Sequence, residues 1–398
     1  MNTYPPPPVT FVRGSGSRLW DAEGRVYLDL VGGVAVCALG HAHPAVADAL
    51  AEQARTLLHV SNLYGTTVGP EVAATLDRLI DAGGGAVFFC NSGAEANECA
   101  IKLARKWGRS QGGARGAARG GARGGAPGGA RYAVVSAERS FHGRTLATLH
   151  ATGQPLRHAP FKPLPEGFRH VPFGDLGALA TALAAPDVAA VLLEAVQGEG
   201  GVYAAPPGYL EGARRLCDEA GVLLMMDEVQ TGLGRTGRWF GFQRAGIRPD
   251  VVTVAKALGN GVPVGACWAR SDVAAAFVPG DHATTLGGQP LAAAAARAVL
   301  RVMEAEEAPA RAAAAGARLA AGLRTVPGVT EVRGWGLLLG AELGGDGART
   351  APEVAAAALA AGLLVNPVQP TILRFVPSLL VRDEEIDEAI EILRKVAA

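Results

Sequence analysis

Lysine is scarce in this chain, with five among 398 residues: Lys102, Lys106, Lys162, Lys256 and Lys395. The five cysteines (Cys37, Cys90, Cys99, Cys217, Cys267) are scattered, odd in number and form no C-x-x-C. That excludes a disulfide framework and a cysteine zinc site, and it fits a reducing compartment. Net charge is absent too: 37 basic side chains balance 37 acidic ones, so no bulk field draws in nucleic acid or an anionic membrane. No apolar run reaches membrane length, and the opening MNTYPPPPVTFVRGSG lacks the basic-then-apolar order of a signal segment. These absences predict a soluble, cytoplasmic protein with no metal, nucleic-acid or membrane partner.

What is present is ample apolar material, 49% of residues against 19% charged, in a chain long enough for two domains or one large one. GSRLWDAEGRVYLDLVGGVAVCALG reads as a short β-meander with a D-x-x-G turn, and Pro44 to Leu58 and Pro70 to Ile80 carry helical spacing. Apolar runs then alternate with helical patterns: AVFFC, YAVVSA, VAAVLLEAV, GVLLMMDEV, VVTVA and VGACWA. Alternation of this kind predicts an α/β fold, a mainly parallel sheet with helices on both faces and the site at the strand ends. Residues 51–292 form the expected large domain. A smaller α+β domain is expected from both chain ends, residues 1–50 and 293–398.

One segment departs from this pattern. Gly108 to Arg131, GRSQGGARGAARGGARGGAPGGAR, has five arginines and no acid. Its composition predicts a flexible surface insert, with an acidic partner as its one specific use.

Three motifs carry chemistry. DVVTVAKALGNGVPVGA sets Lys256 at the end of a buried strand, where it either snorkels to water or stays neutral enough to form a Schiff base with a carbonyl. FFCNSGAEANECAIKLAR leads a buried strand through Ser92, Gly93 and Ala94 into a helix, a cradle for an anion or an ordinary helix cap. LLMMDEVQTG ends a buried strand on Asp227, whose carboxylate needs a cation, either an arginine or a pyridinium nitrogen. A phosphate cradle, a ring-nitrogen partner and a Schiff-base lysine are together what pyridoxal 5′-phosphate requires, so the three motifs read as one site. GLGRTG, Gly232 to Gly237, fits G-x-G-x-x-G but is followed by RWFGF and not by an apolar helix, so no dinucleotide site is expected.

With LGHAHPAV, FHGRTLATLHATGQP, LLEAVQGEGGV, DEVQTGLGRTG and GLLVNPV added, the chain resembles the class III aminotransferases of fold type I, in their acetylornithine aminotransferase branch, over nearly its whole length. The resemblance implies that Phe141 stacks on the pyridine ring, Gln230 bonds its hydroxyl and Glu194 sits beside it. It implies that Thr285 reaches the phosphate of the other subunit of a homodimer. Arg144 would clamp one substrate carboxylate and Arg374 the second carboxylate of glutamate, with Glu199 covering Arg374 when the donor has none. The implied reaction moves the terminal amine of N2-acetylornithine to 2-oxoglutarate, in arginine biosynthesis. Alternatives are a carrier-protein-linked amine of lysine biosynthesis, succinylornithine, ornithine or 4-aminobutyrate, an aminomutase, or a non-catalytic protein holding the cofactor. Ala195, Leu286, Gln289 and Cys37 depart from the usual family residues, and none of these departures touches Lys256 or Asp227. Val34 stands where ornithine transaminases tend to carry tyrosine, which favours the acylated donor.

Overall fold

A computed structural model describes residues 1–81, 84–118, 131–345 and 347–397. Its centre is a seven-stranded sheet in the order Gly85–Cys90, Gly265–Arg270, Val251–Val254, Leu223–Asp227, Val188–Glu194, Ala133–Ala137, Phe168–Val171. The sheet is mainly parallel, as expected; Gly265–Arg270 alone runs antiparallel to both its neighbours. Side chains alternate across a strand, and here each face meets its own core. Val191, Leu193, Leu224, Met226 and Val252 belong to one apolar cluster. Their chain neighbours Ala190, Leu192, Leu223, Met225 and Val251 belong to another. Burial on both faces explains why these strands read as continuous apolar runs, each large side chain contributing roughly 1.5–3 kcal/mol.

Phe168–Val171 was not among the six runs expected from sequence. It is a four-residue edge strand interrupted by Arg169 and His170, polar residues that an edge position tolerates. A second difference concerns Gly108 to Arg131. The helix Gly93–Ala118 continues through its first part despite four glycines, because extending a helix already nucleated costs far less than starting one. Residues 119–130 of that expected insert lie outside the described residues.

The two chain ends meet by strand pairing. The meander Phe11–Ser15, Arg18–Asp21, Val26–Asp29 gains Leu363–Leu364, parallel to Val26–Asp29. An antiparallel sheet, Val329–Trp335, Leu338–Leu343, Ile372–Phe375 and Asn366–Gln369, completes the C-terminal part. It places Arg374 opposite Gly340 and Asn366. Among the described residues no helix is long and apolar enough to cross a membrane.

Candidate active site

Parallel register brings the reactive side chains together. Asp227 pairs with Glu194 on one side and Thr253 on the other, so three strands end level. Lys256 follows two residues after Val251–Val254, in a left-handed backbone conformation with φ of 42°. A side chain rarely adopts that conformation without support from its surroundings, and such strain gathers at functional sites. Lys256, Asp227, Glu194, Glu199, Gln230, Phe141 and Arg144 line one cavity of about 400 Å³, together with Ser92, Gly93 and Ala94.

Asp227 is buried and well held. Its Oδ2 accepts from Asn97 Nδ2 and from His142 Nδ1, both at 2.8 Å, and its Oδ1 accepts from Val229 N at 3.1 Å. Asn97 is itself fixed: its Oδ1 accepts from Thr253 Oγ1 at 2.7 Å and its amide donates to His142 O at 2.8 Å. Among the described residues no arginine or lysine pairs with Asp227, and His142 Nε2 is buried without a hydrogen-bond partner. The arginine salt bridge considered for Asp227 is therefore absent.

Lys256 keeps some contact with the cavity, yet protein atoms surround it closely. Burial pushes its amine down to about 8, while Glu199, Asp227 and Glu194 act in the opposite direction. A lysine in this range supplies a substantial neutral fraction near physiological pH. Burial, followed by the charge of Asp227, pushes the Glu194 carboxyl well above the usual range. Its Oε2 accepts from Phe141 N at 3.1 Å, which ties the Phe141 backbone to the strand end.

Ser92 caps the helix it precedes, its Oγ accepting from Glu95 N at 3.2 Å. The capping and cradle readings are compatible: the hydroxyl hydrogen stays available, and the first N–H groups of a helix have no intrahelical partner. Gly93 has a packing role besides, since a Cβ there would stand 2.7 Å from Val229 Cγ1.

Opposite Lys256, Arg374 Nη1 donates to Glu199 Oε1 at 2.5 Å and to Gln230 Oε1 at 3.1 Å. Burial raises the Glu199 carboxyl, but the charge and hydrogen bond of Arg374, with Lys256 and Gln230, together outweigh it and leave it below its ordinary value. Arg144 is exposed at the rim, its guanidinium 5.5 Å from the Phe141 ring centre. Thr285 stands apart, exposed on a separate surface cavity of about 800 Å³. The sequence reading missed Asn97 and His142, which fix Asp227, and Asn366, whose Oδ1 accepts from Arg374 Nη2 at 2.6 Å. Asn97 and His142 stand in the same stretches as Ser92 and Phe141, but no local signal marks their convergence on Asp227.

The aminotransferase class-III family model matches residues 2–397. This chain belongs to that family. An acetylornithine aminotransferase of Gloeobacter violaceus is 50% identical to this aminotransferase, covering 100% of it and 95% of the relative. Among solved structures, N-acetylornithine aminotransferase from Stenotrophomonas maltophilia K279a matches with a TM-score of 0.83 and 40% identity, over 98% of this chain and 96% of that one. The ornithine aminotransferase of Toxoplasma gondii, crystallised with oxidised glutathione and with partial occupancy of PLP at its active site, matches with a TM-score of 0.89 and 34% identity. It covers 100% of this chain, and 91% of that chain is matched.

Proposed function

We propose that this aminotransferase moves the terminal amine of N2-acetylornithine to 2-oxoglutarate, using pyridoxal 5′-phosphate. The observation that carries this reading is that Lys256, Asp227 and Glu199 line one cavity, with Arg374 paired to Glu199. The names of the relatives, similar over their whole length, support the acetylated donor.

The residues fit the cofactor. A buried carboxylate without an arginine or lysine partner suits a protonated ring nitrogen, and free helix N–H groups suit a phosphate. Asp227, the Ser92–Gly93–Ala94 turn, Phe141, Gln230, Glu194 and Lys256 would hold it. When bound, pyridoxal phosphate supplies an electron sink that acidifies the carbon bearing the amine.

The side chains divide the remaining work. Lys256 Nζ, its amine pushed down to about 8, takes and returns the proton at that carbon. Burial and the charge of Asp227 raise the Glu194 carboxyl, and Asp227 would face the ring nitrogen. Arg144 binds the donor's carboxylate by bidentate pairing. Arg374 stays covered by Glu199 for the donor and is uncovered for the second carboxylate of glutamate and 2-oxoglutarate. The working unit is a cytoplasmic homodimer in which exposed Thr285 reaches the partner's phosphate site. The apolar side chains exposed around Thr285, Leu63, Tyr64 and Leu286, fit a covered face.

Steady-state transfer to 2-oxoglutarate tests the reading. N2-acetylornithine should exceed ornithine and 4-aminobutyrate in kcat/KM by at least about tenfold; the reverse order would overturn the donor assignment.

A further inference from the structure

Beside the reaction pocket lies a second cavity of about 360 Å³ that the mechanism above does not use. Glu199 lines the first cavity and Gly200 the second, so the two share a wall. Arg139 reaches this wall because Gly200 allows close approach: a Cβ there would stand 2.9 Å from Arg139 O. The Arg139 backbone is left-handed, φ 63°, and its guanidinium lies 4.8 Å from the Tyr203 ring centre. Gln154, on the same cavity, donates through Nε2 to Ser140 O at 3.0 Å and accepts from Arg157 Nε.

The charge balance here is one-sided. Among the described residues Arg139, Arg144 and Arg157 have no carboxylate partner, whereas nearby Arg333 holds Glu331 and Glu342 and Arg374 holds Glu199. Glu342 lines the second cavity, but its oxygens are engaged by Thr371 Oγ1 at 2.5 Å and by Arg333 Nη2 at 2.8 Å. Burial and then the charge of Arg144 hold Arg157 below its ordinary value, with Glu199 opposing. Like charges gathered at a mouth raise the local concentration of anions, and a guanidinium is the side chain best shaped for a carboxylate.

We propose that Arg139 and Arg157 form an anion subsite that takes a second carboxylate at the acyl end of the amino donor. This rests on the donor reading above: the amine points toward Lys256, the α-carboxylate toward Arg144, and the acyl group outward along the Glu199–Gly200 wall. The two arginines thereby become specificity-determining residues that distinguish N2-acyl groups by charge and not by length alone.

The test compares kcat/KM of the holoenzyme for N2-succinylornithine, N2-acetylornithine and N2-butyrylornithine, the last a neutral match in length to the first. Succinyl should exceed butyryl by about tenfold at low salt, the size of one charge-assisted pairing. Arg139→Gln and Arg157→Gln should each reduce the succinyl-to-butyryl ratio about fivefold, and added salt should reduce it in the wild type. A ratio near one in the wild type, or variants that slow all donors equally, would overturn the subsite. The subsite is also read without the donor assignment. In whichever amino transfer the enzyme performs, N-succinylglycine should inhibit better than N-butyrylglycine, and both variants should erase the difference; equal inhibition in the wild type would overturn the subsite by itself. Failure of every N-acylornithine as donor with this inhibition difference intact would remove the donor reading and leave the subsite standing.

Discussion

The sheet carries a cavity at each end, and the larger one is not the reactive one. At the strand starts, a cavity of about 580 Å³ is lined by Arg214, Asp250 and Arg270. There Asp250 is held by Arg214 at 2.9 Å and by Arg270 at 2.8 Å, and it also accepts from Leu224 N at 2.7 Å. Opposite charges answer one another, and the result is a brace. At the strand ends, the smaller cavity gathers a lysine pushed down, a carboxyl pushed up and a carboxylate with no arginine or lysine partner. Volume does not mark a site; charge left incompletely compensated does.

Substitutions should separate the two ends, in order of expected effect on turnover. Lys256→Ala removes the group that moves the proton, and amino transfer should fall by at least about 10³-fold; a variant retaining a tenth of wild-type kcat would refute that role. Asp227→Asn keeps the shape but not the charge, and should lower kcat by about 10²-fold while also weakening cofactor retention on dialysis. Glu199→Gln leaves Arg374 uncovered, so the kcat/KM ratio of glutamate to N2-acetylornithine should rise about tenfold, measured in the two half-reactions separately. Asp250→Asn, at the other end, should lower stability by about 3 kcal/mol in denaturant unfolding, with turnover per folded molecule unchanged. Loss of turnover there would break the comparison.

A pH series sharpens the same contrast. The folded amine of Lys256 lies at about 8, below the ordinary lysine value of 10.5, so the unfolded chain binds the extra proton between those values. The stability lost to burying Lys256 is therefore fully present below about pH 8 and is recovered as pH rises from about 8 to about 10.5. Cofactor-free protein should accordingly be less stable than Lys256→Met at neutral pH, and that gap should narrow across this window. A constant gap would mean that Lys256 is not desolvated.

Much of this was legible in the sequence because the strands are buried on both faces and end on the groups that matter. The runs ending at Glu194 and Asp227, and the one just before Lys256, announce both sheet and site. What stayed hidden depends on neighbours distant in the chain. Nothing local says that Asn97 and His142 converge on Asp227, 130 and 85 positions away. Gly265–Arg270 reads as another apolar strand, and its reversed direction is set by pairing with Gly85–Cys90. The Gly/Ala/Arg stretch lacks the material for a core, whereas extension of an already nucleated helix carries its first part on to Ala118.

The most direct test of the central claim is the visible absorption of the purified protein loaded with pyridoxal phosphate, followed as N2-acetylornithine and then 2-oxoglutarate are added. The account predicts that the band is lost with the donor alone and restored by the keto acid. A band that N2-acetylornithine leaves unmoved, in protein that transfers amine from another donor, would contradict it.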